Sequence, residues 1–268
     1  MNRILSLSKG HYFGNVVSIC DADGIIITAT SYSKEALTNQ MHYHENSHIS
    51  FVLYGGSKEE RIGKEIERLP GNIEFYHAGE KHQTIQKVFP SKNINLEIDT
   101  DIIKKTGITE EIIYKAITQN PDGKFLLLKM YKELMVNDVS LVTSINMLFL
   151  DLITRSVNTK YNKPCPVWVK IVREVMNDRW NDKLTLCDLA MIASVNPITI
   201  SKYFRKYFYC TFGEYMRKLK IERSLSYLRT TSFSLTQTAY SCNFADQSHF
   251  TRTFKELTGF LPKQYRKL

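Results

Sequence analysis

Cysteine is scarce and unpatterned in this 268-residue chain: Cys20, Cys165, Cys187, Cys210 and Cys242 are odd in number, dispersed, and contain no CxxC pair. That argues against a disulfide framework or a zinc ribbon and favours reduced, buried thiols. Long apolar runs are missing too. The opening MNRILSLSKGHYF has no sustained apolar stretch, and no later run nears the roughly 18 residues of a membrane span, so no membrane association is expected and the expected compartment is cytoplasmic. Acid is what the carboxyl-terminal part lacks. Residues 161–268 carry 18 Lys and Arg against 8 Asp and Glu, a net of +10, whereas residues 1–160 carry 18 against 19, a net of −1. A basic segment beside a neutral one points to a polyanion at one end, with nucleic acid preferred to a membrane surface. The 43% apolar content supports packed cores, and the length suits two domains better than one.

Short β-branched and aromatic segments fill residues 12 to 100: VVSIC, GIIITATSY, HISFVLYGG, GNIEFYH, TIQKVF and NINLEI, separated by turn residues. Their spacing predicts an antiparallel sandwich or barrel over 1–108. The period then changes. TEEIIYKAI, KFLLLKMYKELM and SLVTSINMLFLDLITRSV show apolar spacings of three and four, so two or three helices are expected over 109–157. In the last of them Leu141, Ile145, Leu148 and Leu152 share a face, while Met147, Phe149 and Leu150 make the remainder unusually apolar. This helix either packs on the sandwich or meets its own copy, which makes a homodimer an expectation. The prolines of NTKYNKPCP mark 158–166 as a linker, and 167–268 reads as all helical.

Within LTLCDLAMIASVNPITISKYFRKYF, Thr185 with Asp188 opens a short helix by a capping-box variant, with Leu186, Leu189 and Ala190 inward. Ser194, Val195 and Asn196 form a turn. Asn196 caps the next helix and Pro197 suits its first position, where the missing N–H has no helical partner. Two short helices joined by a three-residue turn form the helix-turn-helix pattern, whose second helix enters a major groove. The pattern recurs: Thr185, Leu186 and Ala190 return 49 positions on as Ser234, Leu235 and Ala239, and after one inserted residue Ser201, Lys202, Phe204, Arg205 and Tyr215 return at 50 as Thr251, Arg252, Phe254, Lys255 and Tyr265. Between the copies, TFGEYMRKLKIERSLSYL starts with the box Thr211 and Glu214 and reads as one continuous helix, with Tyr215, Leu219 and Leu228 inward. Such a connector would hold both second helices on one face of a duplex, about one turn or 34 Å apart.

The tail resembles the DNA-binding domain of the AraC/XylS family of transcription regulators. NFADQSHFTRTFKELTGFLPKQYRK is similar to that family's signature at Phe244, Ser248, Phe250, Arg252, Phe254, Lys255, Gly259, Pro262, Tyr265 and Arg266. The resemblance covers about a hundred residues, 166 to 268. It departs at Asn243 and Tyr209, which stand where the family commonly has glycine. Asn tolerates the left-handed conformation of a helix end; Tyr209 must bear its cost or the chain must turn differently.

Helix geometry selects the DNA-facing candidates. In the first unit Ile200, Tyr203 and Phe204 are expected in the core, leaving Ile198, Thr199, Ser201, Lys202 and Arg205 outside; in the second Phe250 and Phe254 turn inward and expose Gln247, Ser248, His249, Thr251 and Arg252. Lys202 suits guanine or phosphate, Arg252 guanine, phosphate or an internal salt bridge, Gln247 adenine, Ile198 a thymine methyl, and Thr199 and Ser201 base or backbone. His249 is equally readable as a solvated imidazole. Arg205, Lys206, Lys255, Lys263 and Arg266 read as phosphate contacts or a solvated face.

Three of the seven histidines fall in MHYHENSHISFVLYGG. With GNIEFYHAGEKH, this stretch resembles the two motifs of cupin-type sandwiches: His42, His44 and His82 match the usual histidine ligands, His48 stands where the family often has glutamate, and Gly55, Gly71 and Gly79 fall at turn positions. His77 occupies a position often held by proline. Converging imidazoles would bind zinc, iron or nickel and support oxygenase or isomerase chemistry, which makes a metal-dependent cupin enzyme fused to a DNA-binding domain the alternative. AraC-type regulators commonly carry such a sandwich as a sensor or dimerisation module without metal, and this resemblance implies that His42, His44, His48 and His82 line a ligand pocket, with no metal, no cofactor and no catalytic residue. The expectation is therefore a non-enzymatic, sequence-specific regulator of mixed α and β class. A jelly-roll sandwich senses a small-molecule effector, and an all-α tail binds double-stranded DNA, with RNA polymerase a further candidate partner.

Overall fold

The computed structural model describes residues 4–34, 40–157 and 165–268, without the side chains of 155–157. Eight strands come first: β1 (Leu5–Leu7), β2 (Asn15–Ala22), β3 (Ile25–Tyr32), β4 (His42–His44), β5 (Ser47–Arg61), β6 (Lys64–Arg68), β7 (Ile73–Tyr76) and β8 (His82–Ile98). They form one curled sheet. β8 is its spine, pairing antiparallel with β3 through Ile25 opposite Ile98, with β5 along nearly its whole length, and with β4 where His42 faces His82. TIQKVF and NINLEI, read separately in the sequence, are thus one strand. It passes Pro90 because the β5 register shifts around Tyr54 and Gly56, where a ladder hydrogen bond is interrupted anyway. Gly55 has φ +85, and a Cβ there would lie 2.4 Å from Ser91 Cβ, so only glycine fits this crossing.

Four helices follow, three of them within 109–157 as the apolar spacing predicts and one before it: α1 (Thr100–Thr106), α2 (Glu110–Thr118), α3 (Gly123–Val136) and α4 (Leu141–Val157). α1 lies inside the stretch read as sandwich; it starts where Asp99 leaves the last strand and caps the Asp101 N–H, and it ends at left-handed Gly107. α3 and α4 bury Leu127, Leu128, Met130, Ile145 and Leu152 against the sheet residues Ile27, Phe51, Leu96 and Ile98. The other face of α4 leaves Met147 and Leu150 exposed. Of the stretch read as a linker, residues 158–164 lie outside the described residues.

The tail is helical: α5 (Val167–Asp178), α6 (Leu186–Ile192), α7 (Pro197–Phe208), α8 (Phe212–Thr230), α9 (Leu235–Ser241), α10 (Gln247–Thr258) and α11 (Pro262–Lys267). The long α8 divides between two cores. Its Tyr215, Met216 and Leu219 pack with Ile200, Phe204 and Phe208, while Ile221, Leu225 and Leu228 pack with Ala239, Phe250 and Phe254. The second of these cores is continuous with that of the sheet and α3. Polar contacts accompany this junction: Lys218 Nζ meets both Asp122 oxygens at 2.7 and 2.8 Å, Lys124 pairs with Glu222, and the Arg229 guanidinium lies 4.4 Å from the Tyr54 ring centre.

Candidate functional site

Local chemistry builds each helix pair of the tail. The Thr185 hydroxyl accepts from the Asp188 N–H while the Asp188 carboxylate accepts from the Thr185 N–H at 2.8 Å, a reciprocal box that starts α6. Ser234 with Gln237 does the same for α9, and Thr211 with Glu214 for α8. Asn196 accepts from Ile198 N and Asp246 from His249 N, so both second helices, α7 and α10, begin on a side-chain cap. Each turn carries one left-handed residue at the equivalent place, Ser194 at φ 53 and Asn243 at φ 56. Tyr209 ends α7 at φ 62, as Gly259 ends α10 at φ 80, so the tyrosine bears the conformation rather than avoiding it.

The outer faces of α7 and α10 are open. Ile198 is 73% exposed, and Ser201, Lys202, Arg205, Gln247, Ser248, His249 and Arg252 are exposed as well; Thr199 and Thr251 are half-buried. Tyr203 departs from the sequence reading. It is 38% exposed rather than in the core, the ammonium groups of Lys202 and Lys206 lie 5.5 and 5.9 Å from its ring centre, and Phe208 fills a core position instead. A tyrosine offers an apolar body and a wet hydroxyl, so periodicity alone misplaces it. Among the basic side chains, Arg266 donates to the Phe233 carbonyl at 2.8 Å, Arg229 to the Tyr265 and Arg266 carbonyls, and Lys220 to the Asn243 carbonyl. These three hold the fold of the second unit.

The amino-terminal half encloses a separate polar site. Alternation along β4 turns His42 and His44 to the same side, β5 contributes His48, and β8 brings His82 opposite His42. All four are buried. Ring centres lie 4.2 Å apart for His42 and His82, 4.2 Å for His44 and His48, and 5.6 Å for His44 and His82. One ring nitrogen from each of His42, His44 and His82 lies within 4.8 Å of the others. The Nδ1–H of His42 donates to the Gln40 carbonyl and that of His82 to the Glu80 carbonyl, which fixes both tautomers and leaves Nε2 of each as a bare acceptor. Burial, then the His82 charge, lowers the His42 pKa to about 4; burial and the charges of His82 and His42 lower that of His44 to about 2. Burial leads the downward shifts of His48 and His82 as well.

Tyr12 and Phe13 cover this cluster, 5.0 Å from His44 and 4.4 Å from His42 between ring centres. At its floor the buried Glu59 receives Arg61 Nε at 2.5 Å and the Tyr76 hydroxyl, with Arg68 3.6 Å away. Burial opposes the Glu59 charge, but Arg68 and then Arg61 outweigh it and hold the carboxyl below its ordinary value. Sequence reasoning missed this group; a register-shifting glycine before SKEER was the available signal. Among the described residues, buried His44 Nδ1, His48 Nδ1, Arg68 Nε, Gln86 Oε1 and Asn93 Oδ1 find no protein partner. The cavity measures about 40 Å³ for water-sized spheres, the volume of about three waters.

Residues 189–268 match the family described as helix-turn-helix domain. The chain is 28% identical over 93 residues to the HTH-type transcriptional regulator GbdR of Pseudomonas aeruginosa, covering 35% of this chain and 25% of that protein. To the bifunctional transcriptional activator/DNA repair enzyme AdaA of Bacillus subtilis it is 27% identical over 110 residues, 41% of this chain and 52% of the relative. The chain thus spans between a quarter and about half the length of these two relatives. A third, the uncharacterized HTH-type transcriptional regulator YdeC of Bacillus subtilis, is 17% identical over 250 residues, 85% of this chain and 86% of its own. The capped helix pairs of the tail, duplicated about a central helix, coincide with the family match and form a helix-turn-helix domain.

Proposed function

We propose that the whole chain is a non-enzymatic, one-component transcription regulator that binds double-stranded DNA through α7 and α10 and is controlled from the amino-terminal pocket. The carrying observation is the tail itself: two capped helix pairs share α8, and their outer faces stay open while the core of the second pair packs on α3 and the sheet. The net +10 of residues 161–268 suits the phosphate backbone. On this reading Ile198, Thr199, Ser201, Lys202 and Arg205 meet one major groove and Gln247, Ser248, His249, Thr251 and Arg252 the next. The domain division is 1–108, 109–157 and 167–268 about the linker 158–166, with a cupin-like jelly roll as the first unit. The exposed Met147 and Leu150 of α4 support a homodimer. RNA polymerase is the expected partner if the regulator activates, and no described helix is long and apolar enough to cross a membrane. An effector works only by binding two arrangements of the halves unequally, and the Lys218–Asp122 and Lys124–Glu222 pairs are where such arrangements would differ. Selection of bound duplexes from a random pool tests the reading: a shared motif supports it, and recovery of unrelated sequences at moderate salt refutes it.

The three-histidine convergence favours a second reading of the pocket. Two pre-set tautomers, the unpartnered His44 nitrogen and neutral rings fit a divalent cation such as zinc, held by His42, His44 and His82. Bound there, the cation would supply a compact double positive charge. His48 stacks on Tyr76 at 4.4 Å and lies outside the convergent set. Elemental analysis of protein purified without an affinity tag separates an ion from an organic effector.

A further inference from the structure

Gln247 is the first residue of α10, and its side chain is tied. The Thr236 hydroxyl, on α9, donates to Gln247 Oε1 at 2.6 Å across eleven residues of chain. This use of a helical threonine is unlike its neighbours. Thr230, Thr238 and Thr258 donate to the carbonyl four residues back, the usual outlet for a threonine inside a helix. Thr236 is the second residue of its helix, four residues beyond Ser232, which precedes the cap Ser234. Its hydroxyl therefore has no carbonyl of its own helix to satisfy and reaches across the turn to the other helix. The first unit lacks the device, because Cys187 and Pro197 stand at the corresponding places.

An untethered glutamine amide can present either its oxygen or its nitrogen to a base edge. With Oε1 held toward α9, the Nε2–H₂ group is what Gln247 offers outward. In the major groove purine N7, guanine O6 and thymine O4 accept such a donor, whereas cytosine offers only its own N4–H₂ donor. We propose that Thr236 is a positioning residue for sequence reading: it sets the amide as a donor, so that Gln247 bonds to a base other than cytosine at one place in the operator. Thr236 itself touches no base in this assignment. The inference rests on the regulator reading above, with α10 in a major groove.

The test is selection from a random duplex pool with the full chain and four variants: Thr236→Val, which keeps the shape and removes the hydroxyl; Thr236→Ser, which keeps the hydroxyl; Gln247→Ala; and the Val/Ala double variant. The wild type and Thr236→Ser should disfavour cytosine at one position, by roughly 2- to 12-fold, the worth of one net hydrogen bond. Thr236→Val and Gln247→Ala should both flatten that position toward equal recovery, leave the other positions as they were, and keep the same salt dependence. The double variant should look like Gln247→Ala alone. An unchanged motif for Thr236→Val overturns the assignment, as does a loss of affinity spread evenly over all sequences, which would make the threonine merely structural. If the wild type selects no motif, the regulator reading fails and this inference falls with it; if it selects a motif that Thr236→Val shares, only the inference fails.

Discussion

Acid should weaken this fold through its buried histidines. The folded pKa of His42 is about 4 and that of His44 about 2, against an ordinary value of 6.5. A depressed histidine stays neutral in the fold while the unfolded chain takes up the proton, so stability is complete above pH 6.5 and falls as pH drops toward the folded value. Between pH 7 and pH 5 each of these two groups removes about 2 kcal/mol, and together about 4 kcal/mol. His82 and His48 shift in the same direction and add to the loss. This is a large part of the roughly 5–15 kcal/mol that stabilises an ordinary domain. Urea unfolding at the two pH values with a chelator present measures it, followed by the sheet signal in circular dichroism. Replacing His42 and His44 together by Gln should remove about 4 kcal/mol of the pH dependence, whatever it does to stability at pH 7. An equal pH dependence in wild type and double variant would refute the buried, neutral pocket.

Other outcomes follow from the same structure. Adding zinc to chelator-treated protein should raise the unfolding midpoint, and His44→Gln should abolish that rise while His48→Gln leaves most of it; equal responses would place the cation elsewhere. Gly55→Ala should destabilise by at least about 1–2 kcal/mol from the left-handed backbone alone, with the Ser91 contact adding to it; a neutral result would mean the β5 crossing relaxes. Lys218 and Asp122 are only 13% and 14% exposed, so a double-mutant cycle with Lys218→Met and Asp122→Asn should give a coupling of about 1 kcal/mol or more. No coupling would remove this pair from the junction of the halves.

Much of the tail was legible because its signals are local. Thr185 with Asp188, Thr211 with Glu214, and Asn196 before Pro197 are caps within a few residues of one another, and all of them form. The amino-terminal half was legible in strand content more than in pairing. VVSIC and GIIITATSY announce strands, but the match of His42 to His82 depends on chain segments forty residues apart and on the register shifts near Gly55. For the same reason nothing local in the sequence marks Glu59 and Arg68 as buried, although they are 0% and 2% exposed. Tyr203 failed differently: the helix period alone places it with the core, while its ring stays 38% exposed near the ammonium groups of Lys202 and Lys206. Thr236 and Gln247 carry no sequence signal of their contact, because neither residue type requires the other.

The measurement that bears most directly on the account is hydroxyl-radical footprinting of the full chain on its selected operator, with Lys202→Ala and Arg252→Ala alongside. Two protected patches about one helical turn apart are expected. Lys202→Ala should weaken only one of them and Arg252→Ala only the other. A single patch, or the same uniform fading in both variants, would contradict a tail that reads two successive major grooves.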